Sequence, residues 1–301
     1  MLRIKRLPRS AVDSTTLTAT NQSRSIQRRR TALRWFLYAV LVMTSAMYTF
    51  PLLYVLRTSL TAEHELFAWP PVIIPWPPVW DNYVQMWTNG PTWSWVKNST
   101  IVTVVSVVAE TATSVSVAFG FSRTKFAGRD KLFLGVLATM MLPGAVTLVP
   151  KWLIFYRLGW IDTLWPLIVP RFFATPFYIF ILRQFFLSLP KELDDAAEID
   201  GASLLQVLRR IIIPLSVPAI ATVAVFSFMN RWNDFLEPLI YLLHTENLTL
   251  AVGMRWFTGQ WGTEFHLLMA GAIIMVTPMI VAFFIAQKQF IRGIALTGIK
   301  G

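Results

Sequence analysis

Cysteine is absent from the 301-residue sequence, and histidine occurs only three times. Without cysteine the chain cannot form disulfides, iron–sulfur clusters or thiolate zinc sites. His64, His244 and His266 are too few and too scattered along the chain to suggest an imidazole site. We therefore expect no metal site.

Charged residues are also scarce, at 14% of the sequence, whereas about 25% is usual in soluble domains. Hydrophobic residues make up 55%, which places the chain in the membrane class. The 13 Trp and 22 Phe residues suit a protein that lines two lipid–water interfaces. The net charge of +11 does not indicate nucleic-acid binding, because most Lys and Arg residues lie between apolar runs.

Six apolar stretches are long enough to cross a bilayer as helices, which takes roughly 20 residues each. They are residues 35–55, 101–121, 132–150, 164–186, 215–235 and 266–286. The fifth is the least uniform because Asn230, Arg231, Asn233 and Asp234 interrupt it. The sequence thus predicts an all-α integral membrane protein with six transmembrane helices.

Positive charge is distributed unevenly among the connections between these stretches. Nine Lys or Arg residues precede the first stretch, four lie between the second and third, three between the fourth and fifth, and three follow the sixth. The other three connections hold five in total. Because cytoplasmic connections are enriched in Lys and Arg, we predict that both termini are cytoplasmic.

Composition divides the chain into two parts. Residues 1–34 are polar and rich in Ser, Thr and Arg, which predicts a disordered basic tail in the cytoplasm. An organellar transit peptide has a similar composition and is the less favoured interpretation. Residues 35–301 form a single membrane domain, whose outer segment 61–99 is rich in Pro and Trp. The Trp rings suit the outer interface.

The cytoplasmic connection 188–214 has the features of two short helices joined by a turn. The acidic residues of its first turn suit the positive end of a helix dipole. Leu193, Ala196 and Ala197 fall on one face, where small alanines would let another protein approach closely. Gly201 permits a sharp turn before the second helix. From these properties alone, an ordinary amphipathic loop at the membrane surface is an equally good interpretation.

The same connection resembles the EAA loop of ABC-importer permeases. The matching residues are Asp195-Ala196-Ala197, Asp200-Gly201-Ala202 and Ile211-x-Ile213-Pro214, against the pattern E-A-A-x-x-D-G-A followed by I-x-L-P. Asp195 replaces the usual Glu and Ile213 the usual Leu, which keeps the charge and the apolar character. Weaker matches make the chain most similar to the maltose-type carbohydrate permeases, among them Asn82-Tyr83, Met141-Leu-Pro143 and Trp232-Asn-Asp-Phe235.

This resemblance implies the type I ABC-importer permease fold and a multi-pass subunit of the bacterial inner membrane. The partners it implies are a homologous sister subunit, two ATPase subunits that bind ATP and Mg²⁺, and an extracytoplasmic solute-binding protein. The residues implied to couple ATP hydrolysis to transport are Leu193, Asp195, Ala196, Ala197, Asp200, Gly201 and Ala202. The solute implied is a carbohydrate, such as an oligosaccharide, a disaccharide or a polyol.

The motifs of catalysis and nucleotide binding are incomplete in this sequence. His64-Glu65 lacks the second His of a zinc-protease motif because Ala68 occupies its place. A Gly-x-x-x-x-Gly sequence near the C-terminus lacks the P-loop lysine because Ile299 occupies its place. We therefore expect that the chain is not an enzyme, binds no cofactor itself, and leaves ATP hydrolysis to a separate subunit.

Polar residues inside the predicted spans indicate a candidate solute path. The path residues proposed on this basis are Asn230, Trp232, Asn233 and Glu110. Amide and aromatic groups suit hydroxylated rings, and an ionisable group inside a membrane usually faces a cavity or a partner. For Arg231 and Asp234 an internal ion pair or a subunit contact is favoured over contact with the solute.

Two alternatives remain open at this point. A secondary transporter would couple through an intramembrane carboxylate such as Glu110, although it would have no use for a coupling loop. An importer permease for a non-sugar solute, such as a glycerol phosphate, would share the features given above.

Overall fold

The structure is a computed structural model that describes residues 9–70, 72–259 and 262–297. The α-helices, numbered in chain order, are α1 Arg9–Ser59, α2 Asp81–Thr88, α3 Thr92–Arg123, α4 Arg129–Ala138, α5 Gly144–Arg157, α6 Trp165–Ile168, α7 Pro176–Ser188, α8 Glu192–Ile199, α9 Leu204–Val207, α10 Ile213–Leu215, α11 Val217–Trp232, α12 Leu236–Tyr241, α13 Leu250–Gly253 and α14 Phe265–Thr297. Short 3-10 turns cover Glu63–Glu65, Thr139–Met141, Val169–Phe173, Thr245–Asn247 and Met254–Phe257, and Leu208–Ile212 is a π-helical turn. The strands β1 Thr258–Gly259 and β2 Gly262–Thr263 pair antiparallel.

Four helical stretches are long and apolar enough to cross a membrane: Arg29–Ser59, Thr92–Arg123, Trp165–Ser188 and Phe265–Lys288. Two bent pairs meet the same criterion if each pair counts as one span. They are Arg129–Met141 with Gly144–Arg157, bent by 95°, and Leu204–Leu215 with Val217–Trp232, bent by 81°. The described residues therefore hold four to six candidate membrane helices, which confirms the predicted all-α membrane class.

The third and fifth predicted spans are less regular than predicted. Within residues 132–150 the chain is extended at Leu142 and starts a new helix at Gly144. The cause is Pro143, because a residue before proline is disfavoured in the helical conformation. In the fifth span, the bend at Ser216 separates α10 from α11, so the regular helix begins two residues later than predicted and ends at Trp232.

The chain forms two compact units, Met1–Arg57 and Thr58–Gly301. The first unit contains nearly all of α1, which is helical from Arg9 onward rather than disordered to residue 34. Neither Pro nor Gly occurs between residues 9 and 50, so the strongest helix breakers are missing where the polar part meets the apolar part. The first eight residues of the predicted tail lie outside the described residues.

The second unit is built around α3, which packs against α7 and α11, while α11 also packs against α14. One buried cluster at the C-terminal half of α3 includes Phe119 and Phe186. A second cluster near its N-terminus includes Trp95 and Leu267. The 32 residues of α3 extend about 48 Å at 1.5 Å per residue, against roughly 30 Å for a hydrocarbon core. The two clusters therefore lie toward opposite membrane surfaces.

Asp162 joins the loop after α5 to the segment after α12. Its carboxylate accepts hydrogen bonds from the backbone N–H groups of Leu243 and His244 at 2.8 and 2.9 Å, and it also contacts the His244 imidazole. Asn247 Nδ2 donates to the Asp162 carbonyl at 3.0 Å. Burial alone would raise the pKa of Asp162, but the hydrogen bonds to the carboxylate outweigh burial and hold the pKa at about 2.

Replacing Asp162 by alanine should speed hydrogen exchange at the Leu243 and His244 amides, because both lose their acceptor. A carboxylate with a lowered pKa stabilises the fold above its unfolded-state pKa, and that stabilisation is lost as the pH falls through about 2. Wild-type protection, corrected for intrinsic exchange, should thus stay constant from about pH 8 down to about pH 5. Mass spectrometry of the exchanging peptide measures both effects. Glu246→Ala, in the same segment, is the control, and equal protection in Asp162→Ala would contradict the prediction.

Candidate functional site

The predicted helix–turn–helix is present within residues 188–214. Its first arm, α8, has three acidic residues in its first turn. The helix ends before Gly201, whose φ of +73° glycine adopts without strain. The Gly201 N–H donates to the Glu198 carbonyl at 3.0 Å, and the Ala202 N–H to the Ala197 carbonyl at 2.9 Å. This pair of bonds is the Schellman pattern that terminates helices.

The second arm begins with a capping box. Ser203 Oγ accepts from the Gln206 N–H at 3.4 Å, and Gln206 Oε1 accepts from the Ser203 N–H at 2.7 Å. From there α9 continues through the π-helical turn into α10. The capping box at Ser203 follows Gly201 by two residues. The Schellman bonds and the capping box together therefore fix the backbone between the two arms.

The predicted coupling residues divide into an exposed and a buried set. Leu193, Asp195, Ala196, Asp200 and Gly201 are exposed, and Ala202 is half-buried. Ala197 is buried in the core of this chain with Val207 and Leu208. The prediction that the Ala197 side chain faces a partner is therefore not supported, because α8 rests on the core through that position.

Three exposed apolar residues complete the surface of this connection. Ile199, Leu204 and Leu205 are 87%, 61% and 53% exposed. The sequence analysis does not identify these three residues as a surface. The signal in the sequence that could have identified this surface is the presence of large apolar residues inside a predicted cytoplasmic connection. We call Leu193, Ile199, Leu204 and Leu205, with the exposed acidic residues between them, the coupling surface.

Arg123, the last residue of α3, holds residues 188–214, which we call the coupling connection, against the membrane helices. Its Nη1 donates to Asp194 Oδ2 at 2.5 Å, and its Nη2 donates to the carbonyls of Phe186 and Leu189 at 2.5 and 3.0 Å. The Arg123 side chain is 4% exposed. One guanidinium thus joins α3, the end of α7 and the first turn of α8. In the sequence, Arg123 counts only among the Lys and Arg residues that set the orientation in the membrane. Its role in joining these three helices is not predicted.

Glu110 is fully buried near the middle of α3. Thr175 Oγ1 donates to one carboxylate oxygen at 2.7 Å, and Ser227 Oγ donates to the other at 2.6 Å. Arg231 Nε lies 3.9 Å from the second oxygen. Thr175 directly precedes α7 and Ser227 belongs to α11, so this carboxylate joins three core helices. The partners of the Glu110 carboxylate belong to this chain, whereas the sequence predicts that Glu110 faces a cavity or a partner subunit.

More ion pairs surround the C-terminal end of α11. Arg231 Nη1 lies 3.5 Å from Asp234 Oδ2, the internal pair favoured from the sequence. Glu237 contacts Arg171, and its Oε1 lies 3.5 Å from Lys151 Nζ. Together with the buried carboxylate of α3, three cations face three anions. In the described part of the chain, no three His, Asp or Glu side chains are grouped as metal ligands.

Trp232, one of the predicted path residues, belongs to the core. It is 6% exposed, its Nε1 donates to the Met275 carbonyl at 2.8 Å, and its ring stacks on Phe228. The bond to Met275 attaches α11 to α14. Burial therefore does not support direct solute contact for Trp232, and the same holds for Glu110.

The two asparagines of the predicted path reach the surface of the chain. Asn230 Nδ2 donates to the Tyr178 hydroxyl at 3.0 Å, and Asn233 Nδ2 donates to the Met229 carbonyl at 2.8 Å. Both residues are exposed. Asn230, near the end of α11, and Asn233, directly after it, are thus exposed amides, and their contact with a solute stays a prediction.

Residues 23–296 match the family described as the binding-protein-dependent transport system inner membrane component. The chain belongs to this family. It is a transport permease, and the family is one of transport proteins rather than of enzymes. The matched range includes the coupling connection and all of the ion pairs described above.

Similar proteins cover most of this permease. The arabinooligosaccharides transport system permease protein of Halalkalibacterium halodurans is 32% identical over 91% of the chain and 100% of its own length. The sn-glycerol-3-phosphate transport system permease protein of Escherichia coli O1:K1 is 29% identical over 86% of the chain and 95% of its own length. A bacterial ABC transporter involved in the import of the acidic polysaccharide alginate has a similar fold, with a TM-score of 0.75 at 20% identity, covering 95% of this chain and 100% of that chain. The expected fold and family are confirmed.

Replacing Glu110 by alanine should destabilise this permease, because Thr175 and Ser227 lose their acceptor and Arg231 loses a nearby carboxylate. Removing one partner of a buried ion pair costs about 3–5 kcal/mol. The melting temperature of the detergent-solubilised subunit should fall strongly in Glu110→Ala and less in Glu110→Gln, which keeps a hydrogen-bond acceptor. Glu246→Ala removes an exposed carboxylate and should melt like the wild type. Unchanged melting of Glu110→Ala would show that the cluster does not stabilise the core.

Proposed function

We propose that this permease, with a homologous sister subunit, forms the membrane path through which an ABC importer takes up a carbohydrate. An extracytoplasmic solute-binding protein delivers the solute. Two ATPase subunits bind ATP and Mg²⁺, hydrolyse the ATP and drive the change between outward and inward opening. In this proposal the permease itself performs no chemistry and binds no cofactor.

The observation that supports the proposal most directly is the coupling surface. Exposed large apolar side chains gathered on one connection mark a site of protein contact, and the acidic residues among them suit basic groups on a partner. Arg123 fastens this surface to α3 and α7. A displacement of α8 by an ATPase subunit is therefore transmitted to the helices that meet at Glu110.

The proposed orientation places the coupling surface and both termini in the cytoplasm of a bacterial cell, with the permease in the inner membrane. The Lys and Arg distribution supports it. At the other end of α3 from Arg123, Trp95 Nε1 donates to the Thr245 carbonyl at 2.7 Å, and Asn98 Nδ2 donates to the Leu248 carbonyl at 3.0 Å. If the coupling surface faces the cytoplasm, the segment after α12 then faces outward.

A neutral carbohydrate is the solute class that we favour. The relative from Halalkalibacterium halodurans is named for arabinooligosaccharides, and the exposed amides of Asn230 and Asn233 suit sugar hydroxyls. A glycerol phosphate is the second candidate, since the relative from Escherichia coli is named for it. The balanced ion pairs of Arg171, Arg231 and Lys151 leave no net positive charge in that network for a phosphate, which favours the neutral solute.

Replacing Gly201 by valine should uncouple ATP hydrolysis from transport while the subunit still assembles. A non-glycine residue in the left-handed region costs about 1–3 kcal/mol. Apart from the two residues next to Gly201, no atom of the described chain lies within 4 Å of an added Cβ. The strain and the added bulk therefore act on the turn that the ATPase subunit contacts. Solute uptake into proteoliposomes should fall roughly tenfold or more, since about 1.4 kcal/mol corresponds to a factor of ten.

Gly159 offers a matched control for this experiment. Its φ is +68°, and the space around it is equally open, but it follows α5 on the side opposite the coupling surface. Gly159→Val should carry a similar backbone strain and keep ATP hydrolysis and uptake coupled. Wild-type uptake in Gly201→Val, or equal uncoupling in both variants, would contradict the assignment of the coupling surface.

Replacing Asn233 by alanine should alter the rate or the selectivity of uptake without affecting assembly. Losing one hydrogen bond to the solute costs about 0.5–1.5 kcal/mol, so uptake should fall by up to about tenfold. Trp232→Ala is the neighbouring comparison and should lower the melting temperature instead, because large-to-small changes of buried aromatics cost about 3–5 kcal/mol. Unchanged rate and selectivity in Asn233→Ala would place the path mainly in the sister subunit.

A further inference from the structure

Residues 66–80, between α1 and α2, contain no Asp, Glu, Lys or Arg. Five of these fifteen residues are proline and three are tryptophan. Apart from Pro71, which is outside the described residues, the segment is placed in the structure and forms neither helix nor strand. Proline has no N–H group, so one third of the segment presents no backbone donor that would need a partner in an apolar environment.

The base of this segment is held in place by hydrogen bonds. The Val79 N–H donates to the Leu60 carbonyl at 2.9 Å. The buried Asn82 side chain donates to the carbonyls of Ser59 and Thr61 at 2.9 and 3.0 Å. The chain is thus tied together between residues 59–61, shortly before the segment, and residues 79–82 at its end.

Large apolar side chains project outward from the segment. Five of them are at least 76% exposed: Phe67, Trp69, Ile73, Ile74 and Trp76. Burying such a side chain is worth about 1.5–3 kcal/mol, and a group of exposed large apolar side chains marks a contact surface. The described part of the chain leaves these side chains largely uncovered, so we expect the contact to come from outside it.

The neighbours of the segment indicate where it lies. Phe67 meets Phe265 edge to face at 5.8 Å between ring centroids, and Phe265 is the first residue of the membrane-crossing helix Phe265–Lys288. Only 11% of the apolar part of that helix is buried within the described chain, so most of its surface is open to lipid or to a partner subunit. On the other side of Phe67, the turn Glu63–Glu65 carries three exposed or half-buried ionisable residues. Polarity thus changes within a few residues at the point where α14 enters the membrane.

We propose that residues 66–80 are an interfacial membrane anchor whose Trp, Phe and Ile side chains insert into the leaflet where α14 begins. Tryptophan favours the headgroup level of a bilayer, and proline removes backbone donors that hydrocarbon cannot satisfy. A docking surface for the solute-binding protein is the competing occupant. Protein interfaces carry a polar rim with about one hydrogen bond per 100–200 Å², and the Trp indole N–H groups are the sole polar side-chain groups of this segment.

The absence of cysteine makes the test direct. Single cysteines at Ile74 and Trp69, and at His64 as the matched aqueous control, are labelled with a nitroxide in the assembled importer, with any cysteines of the other subunits replaced. The importer is held in liposomes of phosphatidylethanolamine and phosphatidylglycerol. All three positions are exposed, so the substitutions leave the core intact. Electron paramagnetic resonance then compares collisions with oxygen, which partitions into lipid, and with a water-soluble nickel chelate.

We expect the labels at 69 and 74 to collide mainly with oxygen and the label at 64 mainly with the nickel chelate. Equal nickel access at all three positions would overturn the proposal, because the segment would then lie in water. Nickel access at 69 and 74 that disappears only when the solute-binding protein is added would also overturn it, in favour of protein docking. These outcomes do not depend on the identity of the solute.

Discussion

A carboxylate buried at membrane depth has to be satisfied by the protein, and the core of this permease is arranged around that constraint. Glu110 receives hydrogen bonds from Thr175 and Ser227, on the two helical segments that pack against α3. The helix before Thr175 is broken, and α7 starts directly after it. The carboxylate therefore lies near the N-terminal end of α7, where a helix dipole is positive, and it accepts from two hydroxyl donors. Three helices meet at one charge.

Helix α3 makes contacts at both of its ends. At the N-terminal end of α3, Trp95 and Asn98 hold the backbone of the segment after α12, and at the other end Arg123 holds α8. Glu110 lies between these contacts. An importer has to link events on two sides of a membrane. Helix α3 is continuous across it and makes polar contacts near its N-terminus, at its middle and at its C-terminus.

Composition and apolar run length were sufficient to predict the membrane class, and the residues around Gly201 were sufficient to predict the helix–turn–helix, since that turn depends on local sequence. The family followed from the resemblance of residues 195–214 to the EAA loop. Partners distant in the sequence were not predictable in the same way. Arg123 and Asp194 are 71 residues apart, and nothing near either residue indicates the other. Trp232 shows a different difficulty, because an indole is suited both to contact with a sugar ring and to packing in a core. The sequence does not distinguish these two roles, and the packing of α14 against Trp232 does. The bend at Leu142 follows a local rule, but the apolar run around it conceals the effect of Pro143.

The donors of Glu110 lie 65 and 117 residues further along the chain. During synthesis the second span therefore reaches the insertion machinery before either donor has left the ribosome. An uncompensated carboxylate is costly in hydrocarbon, so until the fifth span arrives Glu110 depends on water or on other protein groups for its hydrogen bonds. Completion of the bundle replaces those groups with Thr175 and Ser227, and a chain truncated before the fifth span would lack the second donor.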